Sequence, residues 1–67
     1  MTQDKPVILF QVHVMDTDAG HEIPIGPAMD RQEPLEDFCE QTNLAILRKK
    51  ITGWRDAHIV SFVKETH

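Results

Sequence analysis

Apolar side chains run without a break longer than one residue from Val7 to Met15, the longest such stretch in the chain. Val, Ile and Phe dominate it, and branched or ring side chains suit a pleated strand. Read with period two, Ile8, Phe10, Val12 and Val14 form one wholly apolar face. Val7, Leu9, Gln11, His13 and Met15 form the other, which is mixed. A strand apolar on one face and half apolar on the other is expected at the centre of its sheet.

Asp16-Thr17-Asp18-Ala19-Gly20 follows. Asp and Thr bond their own downstream backbone and Gly accepts positive φ, so a hairpin loop is predicted here. His21 to Ile25 is the return strand, with Ile23 and Ile25 on one face. Pro24 cannot donate to a ladder, which assigns this strand to an edge. Gly26-Pro27 is read as its end, and Ala28 to Glu33 as a polar connection.

A helix is predicted from Pro34 to about Thr52. Pro34 suits the first helical position. Glu36 and Asp37 lie in the first turn, where the helix dipole favours negative charge. Arg48, Lys49 and Lys50 lie near the end, and Gly53 stands where a C-terminal cap belongs. Two apolar stripes share this segment. Leu35, Phe38, Cys39, Thr42 and Ile46 fall on one side, and Leu44, Leu47 and Ile51 nearly opposite. One helix on one sheet needs a single stripe, so the second implies a break near Asn43 or another surface to meet. A rival reading makes residues 44–51 a strand.

Ala57 to Lys64 is the last strand. Ala57, Ile59, Ser61 and Val63 share one face, and His58, Val60, Phe62 and Lys64 the other. The predicted fold class is therefore α+β, with element order ββαβ. Three antiparallel strands lie in order 2-1-3, and one helix packs on one face. The uncovered face carries Leu9, Met15, Val60 and Phe62, an apolar patch of the kind that marks an interface.

Sixty-seven residues make a single domain, with residues 1–5 expected to be disordered. A core this small rarely supplies more than ~3–5 kcal/mol. Cys39 is the only cysteine, so no internal disulfide can help and a homodimer is expected. Seven Lys and Arg stand against eleven Asp and Glu, a formal charge of −4, which disfavours tracking a phosphate backbone. No apolar run approaches the ~20 residues of a membrane span. No signal-peptide pattern opens the chain. With one lone thiol, the expected location is the cytoplasm, and no membrane partner is expected.

Three groups of side chains could carry chemistry. His13, Asp16, Asp18 and His21 (with Glu22) surround the first hairpin and bear good ligand atoms for Zn²⁺ and similar ions. Asp and Gly in a turn also serve the backbone, and the spacing is not a full calcium loop. Arg48, Lys49, Lys50, Trp54 and Arg55 combine basic charge with an aromatic, as single-stranded nucleic-acid binding requires. The same residues also suit a solvated helix end. Cys39 is past the first helical turn with Glu36 and Glu40 nearby, and reads as a small core residue rather than a nucleophile. No phosphate loop, catalytic triad or paired-carboxylate cleft is visible. The chain is read as a non-enzymatic protein-interaction module without cofactor, self-associating through Leu44, Leu47, Ile51, Leu9, Met15, Val60 and Phe62. An adaptor, an inhibitor and a regulatory subunit all fit that reading. A nucleic-acid module and a metal-binding protein are the alternatives.

Overall fold

The computed structural model describes residues 6–64; the disorder expected over residues 1–5 lies outside them. Strand β1 spans Val7–Asp16, β2 His21–Met29 and β3 Trp54–Lys64, with helix α1 at Glu33–Leu47 between the last two. The sheet order is β2-β1-β3 and both pairings are antiparallel. This is the predicted ββαβ arrangement, with β1 in the middle.

The core follows from the alternation in β1. Val12 and Val14 are fully buried, and Leu35 of α1 and Ala57 of β3 join them. Phe10, Ile23, Ile25, Met29, Cys39, Trp54 and Ile59 pack around this centre, each only partly buried. Burying a Val or Leu fully contributes about 1.5–3 kcal/mol, so four small or medium side chains make a thin core. Ile8 has the right parity for that face but stays 54% exposed. Pairing of β1 with β2 starts only at Phe10, opposite Met29. Residues 7–9 therefore pair with β3 alone, at 62–64.

Strand β2 does not stop at Gly26-Pro27. Val12 pairs with Ile25 and Phe10 with Met29, so Gly26, Pro27 and Ala28 bulge opposite Gln11. The Gln11 side chain fills the irregularity, donating from Nε2 to the Gly26 carbonyl at 2.8 Å. Gly26 has φ +75°, and a Cβ there would stand 2.9 Å from the Phe38 ring. The dipeptide is thus a bulge that lets α1 approach the sheet, not a terminator.

Helix α1 ends five residues before the predicted Thr52. Lys49 takes φ 61°. Its N–H donates to the Ile46 carbonyl and that of Lys50 to the Ala45 carbonyl, at 3.0 and 2.8 Å. These two bonds are a Schellman cap. Lys49, rather than Gly53, holds the left-handed position. Arg48, Lys49 and Lys50 accordingly fall just beyond the last helical residue, and Ile51 is off the helix. The rival strand over 44–51 does not form. Strand β3 begins earlier than predicted, at Trp54, because Asp56 at φ 55° absorbs a bulge opposite Val14.

Candidate interaction surface

The two helical stripes have separate destinations. Leu35 and Thr42 are buried against the sheet, with Cys39 and Ile46 half-buried. Thr42 satisfies its hydroxyl by donating to the Phe38 carbonyl at 2.8 Å. Phe38 lies at the edge of this stripe, against Gly26. Leu44 and Leu47 instead line an open groove of about 590 Å³ between α1 and β3, with Gln32, Glu36, Cys39, Glu40, Asn43 and Ile59. Leu47 is 77% exposed there.

β3 is an outer strand, and its Ile59 lines that groove. Pro24 stands opposite His13 and has no N–H. The even residues of β1 therefore turn their backbone groups to β2, and the odd ones bond β3 through His58, Val60, Phe62 and Lys64. Ala57, Ile59, Ser61 and Val63 then direct their N–H and C=O outward. The side chain of Asn43 confirms the direction. Its Oδ1 accepts from the Ala57 N–H and its Nδ2 donates to the Ala57 carbonyl, each at 2.9 Å. One amide of the helix thereby substitutes for a neighbouring strand at one residue. Among the described residues, nothing bonds the outward groups of Ile59, Ser61 and Val63. Val63 and Phe62 are also 57% and 39% exposed.

The uncovered sheet face is less uniform than its pattern suggested. Leu9 pairs with Phe62, next to Gln11 with Val60, and Leu9, Phe62 and Val60 form an apolar end with Val7. Met15 is cut off from them by a polar cluster. His13 and His58 are directly paired, and Glu22 reaches both, with Oε1 2.9 Å from His58 Nε2 and 3.7 Å from His13 Nδ1. His58 Nδ1 lies 2.7 Å from the Asp56 carbonyl. When His58 is protonated, both ring nitrogens donate. The Asp56 carbonyl foremost, and then the Glu22 carboxylate, hold its pKa above the ordinary histidine value. Sequence reading placed His58 on this face, beside Val60 and Phe62, without linking it to His13 and Glu22. The signal lay in the register, which sequence alone does not give.

The hairpin residues do not converge. His13 and His21 differ in parity along the paired strands, His21 sharing the face of Val14, so they point to opposite sides of the sheet. Asp16 Oδ1 accepts from the backbone N–H of Asp18 and Ala19 at 2.9 and 3.1 Å, which closes the turn. Among the described residues no group of three His, Cys, Asp or Glu is placed to hold a metal ion. The basic residues do not converge either. Trp54 is opposite Asp16 and packs on the core, whereas Arg55 is opposite Met15 on the uncovered face. Arg48, Lys49 and Lys50 occupy the exposed cap. Burial pushes the Cys39 thiol up, by loss of solvent rather than through the neighbouring glutamates. Among the described residues no helix is long and apolar enough to cross a membrane.

The arrangement defines a small α+β chain with an open β3 edge whose Ile59 lines a partly apolar groove. Comparison with protein-family models, curated proteins and solved structures finds no match.

Proposed function

We propose that this chain is a small non-enzymatic protein-interaction module that associates with itself, acting as an adaptor, inhibitor or regulatory subunit. The observation that carries the reading is the edge of β3. Outward backbone groups at Ile59, Ser61 and Val63 lie unbonded among the described residues, and Ile59 shares a groove with Leu44 and Leu47. Main-chain hydrogen bonds from an added strand supply affinity at such an edge, and flanking apolar pockets supply selection. Soluble proteins usually blunt long edges with proline, charge or a covering element. Here Asn43 covers Ala57 only, and the stretch from Ile59 to Val63 has no proline and no charge. The thin core adds weight, because a domain this small gains stability from a partner subunit. A single thiol without a disulfide partner accords with a reducing compartment such as the cytoplasm.

Light scattering after size exclusion tests the reading. A particle of two 7.7 kDa chains at micromolar concentration is the expected result. A single chain at every concentration would overturn it.

A further inference from the structure

Resting on that self-association, we infer that the added strand is β3 of a second copy, paired antiparallel about a two-fold axis at Ser61. The result is a continuous six-stranded sheet in the order 2-1-3-3′-1′-2′.

Three observations fix the register. First, Asn43 occupies the edge at Ala57, so the free edge of β3 begins at His58 and extends to Lys64, where the strand ends. Ser61 is its midpoint. Second, only Ile59, Ser61 and Val63 face outward within it. A two-fold at Ser61 sets Ser61 against its copy and Ile59 against the copy's Val63, and in each such pair both residues exchange bonds. Shifting the centre by two residues leaves part of the edge without a partner on both copies. Third, the segment His58-Ile59-Val60-Ser61-Phe62-Val63-Lys64 has a palindromic character. On the helix side, the half-buried Ile59 meets the exposed Val63. On the uncovered face, Val60 meets Phe62, and cross-strand apolar pairs of this kind are the stabilising unit of a sheet. The end pair sets Lys64 against His58, and the Glu22 carboxylate, 2.9 Å from His58, offsets that meeting of like charges. An unrelated partner would have to supply this matching; a second copy has it by symmetry.

Two variants test the register. Ser61→Pro removes an N–H that no described residue of its own chain uses, so β3 keeps its bonds to β1 while the two-fold loses its central pair. A folded chain whose molar mass falls from two copies to one supports the proposal. A folded dimer overturns it, although self-association would then stand through another surface. Should Ser61→Pro fail to fold, Ser61→Cys in a Cys39→Ser background decides, using a short bis-maleimide. Near-complete cross-linking at position 61, with none for Ala19→Cys in the distant hairpin turn, is expected. A dimer that cross-links at neither position, or equally at both, contradicts the register. A wild-type chain that stays single removes both this inference and the reading beneath it.

Discussion

Asn43 and Ala57 exchange two hydrogen bonds of 2.9 Å, one each way, between a side-chain amide and a backbone. The contact pins the middle of α1 to β3 and ends the free edge on one side. Replacing Asn43 by Leu leaves a half-enclosed N–H and C=O unpaired, a loss of about 1–3 kcal/mol. Chemical denaturation of Asn43→Leu, with Gln41→Leu on the exposed helix surface as control, measures it. Equal stability of the two variants would show that solvent satisfies Ala57 as well as the amide does.

Gly26 is the position least tolerant of a side chain. Its φ of +75° and the Phe38 ring 2.9 Å from a would-be Cβ act together. Gly26→Ala is expected to destabilise by more than about 1 kcal/mol. Adding Phe38→Leu should return only the steric share, because the backbone strain is independent of the ring. Full recovery in the double variant would place the whole cost on the contact.

Lys49 holds a left-handed conformation that glycine adopts freely. Lys49→Gly keeps both bonds of the cap and removes the Cβ clash, for a gain of about 1 kcal/mol. A rise in the thermal midpoint is the expected outcome. No change would mean that the extra freedom of glycine in the unfolded chain cancels the relief.

His58 makes stability depend on pH. Its folded pKa lies above the ordinary value, first through the Asp56 carbonyl and then through Glu22. A raised histidine pKa contributes stability that is fully present below the unfolded value of about 6.5. That contribution disappears as pH rises through the folded pKa. The side chain is 43% exposed, so solvent screening keeps the effect small. Denaturant midpoints should fall slightly from mildly acidic to mildly basic pH in the wild type. They should be flatter in His58→Gln. Identical slopes would assign the titration elsewhere.

Much of the fold was legible in the alternation of β1, because one strand buried at Val12 and Val14 dictates which faces its neighbours present. The strand order followed from Pro24, which belongs at an edge. Two boundaries did not. Glycine at 26 and at 53 reads as punctuation in a sequence, but one is a bulge under Phe38 and the helix cap falls on Lys49. Local composition cannot rank a glycine against a lysine for a left-handed site when bonds to Ala45 and Ile46 decide it. The proposed interaction surface was half visible. Leu44 and Leu47 stood out as a second stripe, whereas Ile51 was grouped with them only because the helix was drawn too long. The His13–Glu22–His58 cluster depends on register across three strands, which no spacing in the chain encodes.

Residue-resolved hydrogen exchange at low and high protein concentration tests the β3 edge most directly. The amides of Ile59, Ser61 and Val63 have no bonding partner among the described residues of their own chain, so protection there that grows with concentration comes from a second molecule. The account predicts that these three amides slow markedly as concentration rises, while the amide of Ala57, already held by Asn43, changes little. Fast exchange at Ile59, Ser61 and Val63 at every concentration would contradict it.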